Sequence, residues 1–82
     1  MTATLTGNNS DVRLNWSASA GATSYKVKRA TVSGGPYTVI ASPATNTYTD
    51  TTPVQGTTYY YVVSAVNAFG ESANSLQVSV TP

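Results

Sequence analysis

The sequence predicts an all-β domain, a seven-stranded antiparallel Greek-key β-sandwich. Three observations lead there. Apolar residues recur with period two, and no segment holds helical periodicity over the ~10–12 residues a helix needs. Turn-forming clusters interrupt the apolar runs at roughly ten-residue spacing. Gly56-Thr57-Thr58-Tyr59 opens the longest alternating run with a Tyr three residues after a Gly. That is the arrangement of a tyrosine corner, whose ring points into the core and whose hydroxyl turns back onto the preceding loop.

The elements follow in order. Residues 2–6 alternate weakly around Leu5 and read as an edge strand. Gly7 to Asp11 is a turn. Val12, Leu14 and Trp16 alternate with Arg13 and Asn15, giving a half-buried second strand. After a loop through Gly21, Tyr25 and Val27 alternate with Lys26 and Lys28. Ser33-Gly34-Gly35-Pro36 breaks the chain before a short strand at 37–41, around Tyr37 and Val39 or Ile40. Another short strand at 46–50 is centred on Tyr48. Pro53 to Gly56 then leads into the corner. Tyr59, Tyr61, Val63 and Ala65 alternate with Tyr60, Val62, Ser64 and Val66. A turn at Asn67 to Gly70 precedes the last strand, marked by Leu76, Val78 and Val80. The inward set, and so the expected core, is Val12, Leu14, Trp16, Tyr25, Val27, Tyr48, Tyr59, Tyr61, Val63, Leu76 and Val78.

Size and composition sharpen this. The 82 residues make a single domain, 1–82. A domain this small buries only about 60–65% of its unfolded surface. With no Cys there is no disulfide to help. Trp16 and the six Tyr must therefore fill the core. Charged residues are 9% of the chain and the formal net charge is +1. There is no basic stripe to neutralise phosphates, so nucleic acid is not an expected partner. Solubility falls to Thr, Ser and Asn, which suggests an extracellular bacterial protein. No apolar run approaches the ~18 residues of a membrane span, and residues 1–10 do not read as a signal peptide. A secreted protein would then contain this chain as a piece of something longer.

Chemistry is sparsely provided. The chain has no His and no Cys, which removes the usual triads, Cys-His pairs and zinc sites. Only Asp11, Asp50 and Glu71 carry carboxylates. Glycosidic chemistry needs two of them about 5–9.5 Å apart across a bond. Here they fall in the first turn, at the end of the fifth strand and in the last loop. Asp11 and Asp50 read as turn or strand-end residues bonding local N–H groups, and Glu71 as loop solvation. No cofactor and no metal is expected. Arg13, Lys26, Lys28 and Arg29 read as solvated faces and guards against edge aggregation. Asn8-Asn9-Ser10 and Asn15-Trp16-Ser17 match the N-glycosylation pattern, as chance matches in a bacterial chain.

Taken together, Val12-x-Leu14-x-Trp16, Tyr25-x-Val27, Tyr48-Thr49-Asp50, Gly56-Thr57-Thr58-Tyr59 and Asn67-Ala68-Phe69-Gly70-Glu71-Ser72 resemble a fibronectin type III domain over nearly the whole chain. Gly34-Gly35-Pro36-Tyr37 and the Tyr59-Tyr60-Tyr61 run are similar to modules of secreted bacterial glycoside hydrolases, chitinases and depolymerases. The resemblance implies an immunoglobulin-like topology with Tyr59 at the corner. The chain departs from the family at Pro53, where a Leu is usual and Val54 is expected to fill the gap, and in its short lead-in strand.

The expected function is that of a non-catalytic spacer or linker module in a secreted multidomain bacterial protein, a carbohydrate-active enzyme. Its partners would be neighbouring domains of the same polypeptide, with no membrane insertion and a monomeric isolated module. The alternative is an accessory module that binds carbohydrate or another surface. Tyr60, outward on its strand, could stack a polysaccharide with Tyr37, unless the Lys stems cover it. Phe69 could anchor a partner, or fold over the end of the core.

Overall fold

Strand formation follows the alternation. In the computed structural model the described residues are 2–6 (through their backbone), 11–17, 21–74 and 77–82. They form β1 (Thr2–Thr6), β2 (Asp11–Asn15), β3 (Ser24–Ala30), β4 (Thr38–Ala41), β5 (Thr47–Asp50), β6 (Tyr59–Asn67), β7 (Gly70–Glu71) and β8 (Val78–Val80). One sheet has the order β1-β2-β5. The other runs β4-β3-β6, with β7 and β8 both on the edge of β6 away from β3. Every pairing is antiparallel. We refer to them as the three-stranded and five-stranded sheets.

The expected final strand is present as β8, and β7 is an eighth, two-residue strand formed where a turn and loop were expected. β7 pairs with Val66 and Asn67, while β8 pairs with Tyr59 to Tyr61. Between them Ser72 grips the strand from the side. Its N–H donates to the Ala65 carbonyl (2.8 Å), and its hydroxyl oxygen accepts from the Ala65 N–H (2.9 Å). Leu76 lies outside the described residues.

The two layers close on Val12, Leu14, Trp16, Tyr25, Val27, Tyr59, Tyr61 and Val63, all buried. Tyr48 and Val78 pack half-buried at the margin, and Ile40 rather than the exposed Val39 turns inward from β4. Trp16 sets its ring edge against Tyr25, with centroids 5.5 Å apart at 69°, a favoured aromatic geometry.

The corner is built as a turn with a cap. The Thr57 N–H donates to the Val54 carbonyl (3.2 Å), and Gly56 sits at φ 90°. That is the third-position conformation of a type II turn, which favours Gly. The Tyr59 hydroxyl accepts from the Val54 N–H at 2.8 Å. The gap-filling expectation is overturned: Pro53 is buried and Val54 is 64% exposed. A prolyl ring lacks an N–H to satisfy, so it can turn inward where Val54 must present its N–H to Tyr59. In the β3–β4 loop, a Cβ on Gly35 would stand 2.9 Å from both the Tyr37 ring and its backbone N. β4 begins at Thr38, so Tyr37 precedes it, where residues 37–41 were expected to form the strand.

The registers also fix the ends. Thr2 pairs with Asn15, next to Trp16, and Trp16 meets Tyr25, the partner of Ala65. So Thr2 and the Asn67–Gly70 turn share one end. At the other, the Gly56 N–H donates to the Pro82 carbonyl at 2.7 Å. The long dimension is 39 Å.

Two substitutions probe this core. Trp16→Ala should cost about 3–5 kcal/mol out of a total of roughly 4–12 kcal/mol for this length. Urea denaturation followed by circular dichroism should find it marginal or unfolded, and a melt within a few degrees of the parent would contradict the packing. Tyr59→Phe deletes the acceptor for the Val54 N–H and should cost about 1–3 kcal/mol, read as a lower urea midpoint with an unchanged slope.

Candidate functional site

Three places concentrate chemistry. The first lies between the layers. Tyr25, Val27 and Arg29 share one parity on β3, and Tyr48 and Asp50 share one on β5, so Arg29 and Asp50 both point inward from opposite sheets. They meet: Arg29 Nη1 donates to Asp50 Oδ2 at 2.8 Å, as does the Tyr61 hydroxyl at 2.8 Å. Asp50 Oδ1 accepts from the Thr52 hydroxyl (2.7 Å) and the Thr52 N–H (3.1 Å). The guanidinium also lies 5.1 Å over the Tyr59 ring and donates to the Thr52 hydroxyl oxygen at 2.6 Å.

The Asp50 side chain is only 2% exposed. Burial pulls its pKa upward, but the bonds from Thr52, Tyr61 and Arg29 outweigh that and hold it below the ordinary carboxylate value. Burial, reinforced by the Asp50 bond, pushes the Tyr61 phenol far above its ordinary value. Arg29 is not the solvated cation that its residue type suggests, but one half of a part-buried ion pair. Asp50 does bond the local Thr52 N–H; its link across the layers goes beyond that expectation.

The second place is the outer face of the five-stranded sheet. Glu71 is not solvated loop. It accepts from Lys28 (2.6 Å), from the Ser64 hydroxyl (2.6 Å), and pairs with Lys26 at 3.3 Å. The Lys28 bond first, then Ser64 and Lys26, bring its pKa down to about 2. Lys28 also donates to Asn74 Oδ1 at 2.8 Å and is only 16% exposed along its side chain. Its cross-strand neighbour Val62 is buried. Gln77 reaches over the same face: its Oε1 accepts from the Gly34 N–H (2.7 Å) and from the Tyr37 hydroxyl, and its Nε2 donates to Ser33. Tyr37 is therefore tied down and half-buried. Tyr60, between Ala30 and Ser79 on this face, is half-buried too.

The third place is the Asn67–Gly70 turn. Phe69 is 99% exposed, so of the two readings left open it does not fold over the end of the core. Beside it lies an open cleft of about 350 Å³, walled by polar Asn67, Glu71 and Ser72 as well as by Ala22, Val66 and Phe69 itself.

These places do not converge. Asp50 lies inside the sandwich and Glu71 outside it, with the five-stranded sheet between them. Asp11 is the first residue of β2. Among the described residues, no three His, Cys, Asp or Glu side chains gather as a metal site would need. The missed ion pair did leave a signal, because both partners sit on the inward parity of their strands.

No family model matches the chain. It is 43% identical over 79 residues to an amylopullulanase of Thermoanaerobacterium saccharolyticum, covering 94% of this chain and 6% of that protein. It is 47% identical over 76 residues to an amylopullulanase of Thermoanaerobacter thermohydrosulfuricus, covering 90% of this chain and 5% of that one. The chain thus spans only a small fraction of the curated relatives it matches. Among solved structures, an Fn3-like protein from Clostridium thermocellum superimposes with a TM-score of 0.91 at 47% identity, over 99% of this chain and 86% of that one. A protein described as FN3tt superimposes with a TM-score of 0.79 at 35% identity, over 92% and 78%.

The carboxylates give the acid response a definite sign. Asp50 and Glu71 both hold their protons less tightly folded than unfolded, so unfolding takes up protons. Their contribution is full above the ordinary carboxylate range of about 4–4.5 and is lost as the pH falls toward about 2. Urea midpoints should be flat from pH 7 to 5 and decline below. Asp50→Ala should cost about 3 kcal/mol at pH 7, the low end for stripping one partner from a buried pair, since Arg29 keeps some water access. An unchanged midpoint would refute the network.

Proposed function

This chain belongs to the Fn3-like family, and from that premise we propose that it is a non-catalytic spacer module of a secreted multidomain bacterial polypeptide, an enzyme that degrades α-glucans. The observation that carries this reading is the share of the relatives it accounts for: 6% and 5% of two amylopullulanases. A segment of that size sits among other domains. Its own geometry suits spacing. The chain enters at the Thr2 end and leaves at the Pro82 end of a body 39 Å long.

The chemistry supports the same reading. Near neutral pH Asp50 and Glu71 are anions with their lone pairs engaged, and Tyr61 keeps its proton. None of them is poised to exchange a proton with a substrate. For the accessory-binding alternative Phe69 is the fully exposed ring, while Tyr37 and Tyr60 are half-buried.

The test is replacement within the parent enzyme. A flexible Gly/Ser linker needs about 50 residues to match this span on average, and it supplies no stiffness. Activity on polymeric glucan should fall with the flexible linker and return with an unrelated rigid β-sandwich of similar length. Activity on a short soluble oligosaccharide should not change. If the unrelated sandwich fails to restore polymer activity, and retention on insoluble starch vanishes in Phe69→Ala, the spacer reading gives way to carbohydrate binding.

A further inference from the structure

The Phe69 turn is a rigid mount, not a loose loop. Asn67 pairs with Gly70 and Val66 with Glu71 across its base. Inside the turn the Phe69 N–H donates to Asn67 Oδ1 at 2.8 Å. Below it, Glu71 is held by Lys26, Lys28 and Ser64, and Ser72 by both backbone groups of Ala65. Together these bonds fix the backbone beneath a phenyl ring that is 99% exposed. With the backbone already ordered, docking this large apolar side chain costs only its own rotamer freedom and no loop ordering.

Its position says what would cover it. Thr2 and the Asn67–Gly70 turn lie at the same end of the sandwich, and Pro82 at the opposite end. Any polypeptide that precedes Thr2 joins the module at the end that carries Phe69 and its cleft. The relatives are many times longer than the segment this chain matches, and a domain joined at the Thr2 end would face this turn. A sugar chain fits less well. Sugar recognition adds directional hydrogen bonds to ring stacking. Beside Phe69 the acceptor of Asn67, the Glu71 carboxylate and the Ser72 hydroxyl are already engaged. Only one ring is presented.

We propose that Phe69 and the cleft beside it form the docking point for the domain that precedes this module in the same polypeptide, packing against an apolar patch of that domain. This rests on the spacer reading and deepens it: the module is stiffly joined at its N-terminal end, which fixes the direction in which it projects the polypeptide beyond Pro82.

The experiment places a photo-crosslinker in the full-length parent polypeptide as Phe69→p-benzoylphenylalanine, with Val54→p-benzoylphenylalanine at the opposite end as the control. After irradiation, Phe69 adducts should map by mass spectrometry to peptides preceding Thr2, and Val54 adducts should not. Adducts to peptides C-terminal to Pro82, adducts to added soluble starch, or no adducts would each overturn the proposal. Phe69→Ser should raise amide hydrogen exchange across residues 65–72 at least tenfold in the full-length chain, and unchanged exchange would also count against docking. If adducts form as expected while the linker replacement leaves polymer activity untouched, the spacer reading fails and the docking stands. The converse result separates them the other way.

Discussion

The Asp50 carboxylate is the point on which the two sheets are aligned. It takes four donors from three residues: two from Thr52, one from Tyr61 and one from Arg29. Arg29 and Tyr61 belong to one sheet and Asp50 to the other. In a core otherwise made of Val, Leu and aromatic rings, this is the contact with a direction. Apolar packing tolerates a slide; a shared carboxylate does not. A one-residue slip of β3 or β5 would turn its charged residue to water and leave the other buried without its opposite charge. A chain with no Cys has no covalent tie between its layers, and the ion pair sets their registration instead. Tyr59 joins the same assembly, lying under the Arg29 guanidinium while its hydroxyl caps the Val54 N–H.

The outer face shows how few charges are needed to keep a sheet soluble. Glu71 gathers two lysines and a serine over β6, and Gln77 crosses to the β3–β4 loop. Val62, opposite Lys28 on this face, is buried although the alternation alone would leave it in water. The two networks are separated by the thickness of the five-stranded sheet. Each acid is occupied locally, which leaves a surface suited to being held in place.

Much of this was written in the alternation. The inward set from Val12 to Val63, the Trp16–Tyr25 centre and the Tyr59 corner follow from period two and one Gly-to-Tyr spacing, because those features are local. Arg29 and Asp50 were legible by the same parity, yet residue type argues against burying a charge, and only the register between sheets shows that two buried charges meet. The exchange of roles between Pro53 and Val54 depends on which N–H the Tyr59 hydroxyl takes. The short β7 ladder is accompanied by long-range bonds from Lys28 to Glu71 and Asn74. No pattern of neighbours encodes these. Phe69 could be read as core or as anchor from its sequence alone, since an apolar residue in a turn carries no sign of which way it faces.

The placement of the terminal strands has a mechanical consequence. β1 runs from the Thr2 end alongside β2, and β8 runs toward the Pro82 end alongside β6. Tension drawn along the long axis would pull each strand lengthwise past its neighbour. Ladder bonds lie across that direction, so they would be strained together in shear instead of peeling apart singly. The load would then cross from one sheet to the other through the packed rings and the arginine clasp. Such a body resists a pull between its Thr2 and Pro82 ends by many bonds at once.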